Sequence, residues 1–119
     1  MLSESIGLIE PIDTSKTPVE AAVKVHIRFF GSIRVAAKKS EDELVYIPNT
    51  TVYNLMQTLS NIFGGIMSDE LLDEKSPDGL REDLMITQNE VIINHKNAHE
   101  IKINQGDTIA LFPTFLGGG

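Results

Sequence analysis

From Val23 to Phe29 apolar and polar residues alternate, with Val23, Val25, Ile27 and Phe29 on one side and Lys24, His26 and Arg28 on the other. A period of two puts the four apolar side chains on one face of a strand. Gly31-Ser32 interrupts the run. Beyond the polar stretch Lys38-Lys39-Ser40-Glu41-Asp42, a second short strand, Leu44-Val45-Tyr46-Ile47, ends at Pro48. Two strands so close in sequence predict a hairpin with a long loop. The period then changes. Asn49-Thr50-Thr51 offers side-chain oxygens to the free amides of a helix start, and Val52, Leu55, Met56, Leu59, Ile62 and Phe63 recur at spacings of three and four. One stripe of this helix should face a core. Gly64-Gly65 should stop it, and Ser68-Asp69-Glu70 caps a short helical turn through Leu71-Leu72 before the turn signal Pro77-Asp78-Gly79.

Two further strands are expected at Glu90-Val91-Ile92-Ile93-Asn94 and His99-Glu100-Ile101-Lys102-Ile103, around the loop His95 to Ala98. Asn104-Gln105-Gly106-Asp107 turns the chain into a last strand, Thr108-Ile109-Ala110-Leu111-Phe112. The order predicts an α+β domain, one main helix packed on one face of a sheet. Residues 1 to 22 hold Pro11 and Pro18, scattered Ser and Thr and no sustained period, and read as a flexible extension.

Composition narrows the chemistry. With 119 residues, 41% of them hydrophobic, the chain suffices for one ordinary domain. The absence of cysteine excludes a disulfide framework, a cysteine zinc site and a catalytic thiol. A net charge of −7 without a basic patch argues against nucleic acid. Seven of the acids fall between Asp69 and Asp83 against only Lys75 and Arg81, a stretch that reads as a solvated loop, with a docking surface for a basic partner as the alternative. The N-terminus lacks a secretory pattern and no run approaches the ~20 apolar residues of a membrane span, so a cytoplasmic protein with no membrane partner is the expectation.

Most catalytic constellations find no support. His95 and His99 have the spacing of two metal ligands on a helix, but they fall in a strand and turn pattern, so no metal site is expected. Gly64-Gly65 lacks the spacing of a phosphate loop. His26 lies on the polar side of the first strand and should be exposed. The distinctive feature is the end of the chain, Phe112-Pro113-Thr114-Phe115-Leu116-Gly117-Gly118-Gly119. Pro113 cannot donate to a sheet ladder, so pairing should stop there and a tail should leave the domain. Gly117 to Gly119 lack a Cβ and can enter a narrow channel in a partner; a frayed, inert terminus is the plain alternative.

Three segments together resemble the ubiquitin-like β-grasp sulfur carriers: the small subunit of molybdopterin synthase, the thiamine-pathway sulfur carrier and the small archaeal modifier proteins. They are Val25 to Arg34, Thr51 to Leu59, and Ile92-Ile93-Asn94 followed by Gln105 to Pro113 and the terminal glycines. The resemblance spans residues 23 to 119. It implies a mixed β-grasp sheet crossed by one main helix over residues 23 to 116, with a reactive glycine tail at 117 to 119.

The resemblance also implies a role for the tail and no autonomous active site or bound cofactor. An E1-like partner uses ATP to adenylate the carboxylate of Gly119, which then becomes a thiocarboxylate. Phe112 and Pro113 mark where the tail leaves, and Phe115, Leu116, Gly117 and Gly118 form the threaded approach. The sulfur goes to the pterin precursor in molybdopterin (molybdenum or tungsten cofactor) biosynthesis, with the molybdopterin synthase large subunit as partner. In the modifier branch, Gly119 is joined instead to a lysine of a target protein. A β-grasp interaction module with an inert tail is the remaining alternative. The family tail ends in two glycines where this one has three, and Thr114, Phe115 and Leu116 replace the second proline and small residues of the molybdopterin subunits.

Overall fold

The alternation at Val23 becomes strand β1, Val23–Phe29, with Val25, Ile27 and Phe29 buried and Lys24 and Arg28 exposed. It belongs to a computed structural model that describes residues 22–114. The extension expected over residues 1 to 22, apart from Ala22, and the tail residues Phe115 to Gly119 lie outside the described residues. Strand β2, Glu41–Tyr46, pairs antiparallel with β1, placing Val23 opposite Tyr46 and Arg28 opposite Glu41.

The long hairpin loop is not irregular: Gly31–Ala37 forms helix α1, which buries Ile33 and Ala37 one turn apart. No side chain caps its start, and Lys38 closes it at φ +61° by donating to the carbonyls of Arg34 and Val35. Helix α2, Val52–Phe63, begins where the cap residues predict. Thr51 Oγ1 accepts from the Asn54 amide at 3.1 Å, and Asn54 Oδ1 accepts from the Thr51 amide at 3.2 Å. Val52, Leu55, Met56 and Leu59 are fully buried. Ile62, expected on the same stripe, is 53% exposed, because the core-facing stripe ends at Leu59 and Phe63. Phe63 meets Phe29 edge-to-face at 5.7 Å. Gly64, at φ +90°, joins α2 to helix α3, Gly65–Leu71, which starts three residues before the expected cap and buries Met67 and Leu71.

The acidic stretch is more ordered than a solvated loop. Leu72 bridges to Leu80, whose side chain is fully buried. Strand β3, Leu84–Gln88, follows and was not anticipated, whereas β4 shrinks to Val91–Ile92. Asn89 and Glu90 both adopt positive φ, 52° and 73°, the two-residue turn that joins twisted antiparallel strands. His99 to Ile103 is not a strand. Asn94 accepts from the Lys96 amide, and the carbonyl of Asn97 accepts from both Glu100 and Ile101, so local bonds curl this segment, and Lys102 alone makes a bridge, to Thr51.

Strand β5, Thr108–Pro113, enters the middle of the sheet, whose order is β2-β1-β5-β3-β4. It runs parallel to β1, with Ile27 beside Ile109 and Phe29 beside Leu111, and antiparallel to β3. Ile109, Leu111, Leu84 and Ile86 join Val25, Ile27 and Phe29 in one core with the apolar faces of α1, α2 and α3. The helices thus cover one face of the sheet and leave the other open. Fully burying such side chains stabilises the fold by about 1.5–3 kcal/mol each before chain entropy is opposed.

Candidate functional site: the open sheet face and the root of the tail

The residues that alternate away from the core build the open face. Strand register sets Ile92, Thr87, Ala110, Arg28 and Glu41 side by side across all five strands. A second row puts His26 beside Thr108, and a third puts Met85 beside Phe112. Together with Phe30, all of these residues except Ile92 line a shallow concavity of about 750 Å³. Its apolar end is built by Phe30 and Phe112, whose rings stack at 4.4 Å and 11°. The Arg28 guanidinium lies 5.1 Å over the Phe30 ring, a cation–π placement. His26 Nε2 stands 2.6 Å from Glu41 Oε1 at the opposite rim. An apolar end beside charged and polar side chains is the composition of a surface suited to a protein partner.

The root of the tail adjoins this face. Leu111 turns its carbonyl toward β1 to accept from the Phe30 amide, so Pro113, two residues on, faces the same side. There β1 has ended at Phe29 and the chain has turned into α1, so the missing N–H of proline deprives no strand of a partner. Pairing therefore continues through Pro113, which sits opposite Leu84, instead of stopping before it. Thr114 is the last described residue. Its amide and its hydroxyl both donate to the carbonyl of Asp83, at 2.6 Å and 2.7 Å. Phe112 and Pro113, expected as the exit point, are thus parts of the sheet. Phe115, Leu116, Gly117, Gly118 and Gly119 lie outside the described residues.

The acceptor side of this root is braced. Arg81 donates from Nε to Asp83 Oδ1 at 3.0 Å and from a terminal nitrogen to Oδ2 at 2.7 Å, and its other terminal nitrogen donates to the Asp69 carbonyl in α3. The bidentate bond lowers the Asp83 pKa and raises that of Arg81 further. At the other end of β5, Asp107 is buried in the Gly-Asp turn that sequence reading placed there. Oδ2 accepts from the Asn104 amide and from Gln88, and Oδ1 accepts from Asn89. Burial pushes its pKa up, and these three donors outweigh that, leaving it below the ordinary value. Neither Arg81 nor this network was singled out from sequence, although Arg81 is one of only two bases in the acidic stretch.

The two histidines do not converge. His95 Nε2 faces the Leu84 carbonyl at 2.6 Å, while His99 Nε2 faces the Asp78 carbonyl at 2.9 Å and its ring stacks on Tyr53. Among the described residues no group of three His, Cys, Asp or Glu could hold a metal ion, and no helix is long and apolar enough to cross a membrane.

A model of the ThiS family matches residues 27–118. No curated protein sequence matches the chain. Among solved structures, the HVO 2177 protein of Haloferax volcanii superposes with a TM-score of 0.70 at 16% identity, covering 82% of this chain and 89% of that one. Small archaeal modifier protein 1 of Methanosarcina acetivorans gives a TM-score of 0.64 at 24% identity, over 82% of this chain and 98% of its own. A Pyrococcus furiosus protein assigned as molybdopterin converting factor, subunit 1, gives 0.61 at 20%, over 78% and 99%. The mixed five-stranded sheet with its helices on one face is the β-grasp, ubiquitin-like fold.

Proposed function

Because the chain belongs to the ThiS family of ubiquitin-like sulfur carriers, we propose that it carries sulfur as a thiocarboxylate on Gly119 and delivers it in molybdopterin biosynthesis. The observation that carries this reading is the position of Thr114. It holds the root of a glycine-ended tail at the rim of an open, partly apolar sheet face, so one partner can grip the face and receive the tail together.

The chemistry follows from the poor electrophilicity of a carboxylate. An E1-like partner aligns ATP so that the Gly119 carboxylate oxygen attacks the α-phosphorus and pyrophosphate leaves. A hydrosulfide-level sulfur nucleophile then attacks the acyl carbon, and AMP departs. The resulting thiocarboxylate sulfur is a better nucleophile than the original oxygen. The domain's own part is binding and placement. Ordering Phe115 to Gly119 in a channel opposes binding by about 1–2 kcal/mol per residue, and contacts made by the open face must offset this. Phe30, Phe112, Met85 and Ile92 supply apolar area for that purpose, and Arg28 supplies a cation.

A second reading, transfer of the activated glycine to a lysine amine of a target protein, draws on the tail itself, where Thr114-Phe115-Leu116 precede the glycines. Incubation with the activating enzyme, ATP and a sulfur source should exchange oxygen for sulfur at the C-terminus by intact-protein mass spectrometry. No such change defeats the carrier reading. Glycine remnants on lysines of other proteins in cells expressing the tagged chain would support the modifier reading, and their absence would count against it. Deleting Gly118-Gly119 should abolish either activity without altering stability.

A further inference from the structure

We propose that Thr114 and the Asp83 carbonyl form a latch that fixes the point from which the C-terminal carboxylate is presented to a partner, with Arg81 as the brace that holds the latch's receiving side. The inference rests on the carrier reading for its purpose and on this chain's own geometry for its existence. Pro113 brings no N–H, so the ladder could end there. Instead Thr114 aims two donors, amide and hydroxyl, at the single carbonyl of Asp83. A carbonyl oxygen has two lone pairs and can accept both.

Asp83 in turn has little freedom. Its carboxylate is held by the Arg81 fork. Arg81 is tied to α3 twice, through its amide to the Leu71 carbonyl at 3.0 Å and through its guanidinium to the Asp69 carbonyl at 3.1 Å. The Leu84 amide closes a turn onto the Arg81 carbonyl at 3.1 Å. A continuous path of bonds therefore runs from α3 through Arg81 and Asp83 to Thr114.

Counted from a closed latch at Thr114, the five residues Phe115 to Gly119 can reach at most ~17 Å at ~3.4 Å per residue. Releasing Thr114 and peeling Pro113 from the sheet would lengthen the reach by ~7 Å, more than a reacting carboxylate tolerates in a fixed channel. The latch therefore acts as the zero mark from which the glycines are counted, and Thr114, Asp83 and Arg81 are positioning residues for the carboxylate.

The test uses the full chain, its activating enzyme, and ATP with labelled pyrophosphate, following ATP–pyrophosphate exchange as the readout of adenylation. Thr114→Val keeps the shape and removes the hydroxyl. Its kcat should fall about threefold to tenfold while KM holds within about twofold, the effect of one lost hydrogen bond, and Thr114→Ser should restore the rate. One glycine inserted after Thr114 should slow the wild type more than it slows Thr114→Val, because a loosened latch no longer fixes the count. Additive effects of insertion and Thr114→Val, or an unchanged kcat in Thr114→Val, overturn the ruler. If the wild type is not adenylated at all, the carrier reading fails. The latch is then judged by hydrogen exchange at the Thr114 amide: protection that Arg81→Met leaves undiminished and Arg81→Lys does not alter overturns the brace.

Discussion

Gly31 presses its bare α-carbon against the ring of Pro113: a Cβ there would stand 2.7 Å from Cγ and 3.1 Å from Cδ of the proline. Gly31 also holds φ at +57°, which L side chains adopt only under strain. The start of α1 and the end of β5 thus meet through a residue that must be glycine. Gly31→Ala should lower stability by about 2–4 kcal/mol, combining left-handed strain with overpacking. Gly106→Ala, with positive φ but open space, should lose only about 1–2 kcal/mol. Urea denaturation of both variants checks this, and equal losses would show that the proline contact carries no weight.

Asp107 predicts an acid limb in the stability profile. Its folded pKa lies below the ordinary 3.8, so folding favours the carboxylate form. Stability from this group is therefore fully present above the unfolded value and is lost as pH falls through the folded one, below about pH 4. Asp83 acts in the same direction. Asp107→Asn should lose about 1–3 kcal/mol at pH 7, since an amide cannot accept all three donors. The deficit should shrink as pH drops from 5 to about 3. A deficit independent of pH would refute the assignment.

Tyr46 presents the reverse case. Its hydroxyl is buried without a hydrogen-bond partner among the described residues, and burial, aided by Asp42, raises its pKa well above the ordinary value. Tyr46→Phe removes an unsatisfied polar atom while keeping the ring, so it should leave stability unchanged or raise it by about 1 kcal/mol. A Tm clearly below that of the wild type would contradict this.

Met85 tests the open face. It lies half-buried beside Phe112, away from the core. Met85→Asp should raise KM for tail activation about tenfold, as expected for a charge placed in an apolar contact. Thermal unfolding should shift little. Unchanged KM would place partner docking elsewhere.

What the sequence revealed follows the range of the forces involved. β1 and α2 were legible because each carries its whole signal locally, a period of two from Val23 to Phe29 and the Thr51 cap followed by apolar residues at three and four. Helix α1 was not, since Gly31 opens it and its apolar positions, Ile33 and Ala37, are too few to reveal a period. β3 was hidden behind the acidic stretch, and its turn, Asn89-Glu90, lacks the glycine that usually marks such a hairpin. At the candidate site, the glycine tail and the Gly-Asp turn could be read from the chain. The latch could not, because Asp83 receives Thr114 through its backbone carbonyl, and backbone acceptors leave no mark in residue identity.

The last strand of the described chain is also the middle strand of the sheet. Without residues 108–113, β1 and β3 have no common neighbour, so neither the core nor the open face can close until that segment docks. Pairing β1 with β5 joins distant parts of the chain, a slow step in folding. On the proposed reading, a partner that grips this face would therefore meet only molecules whose folding is finished, because the step that completes the domain is also the step that forms the face.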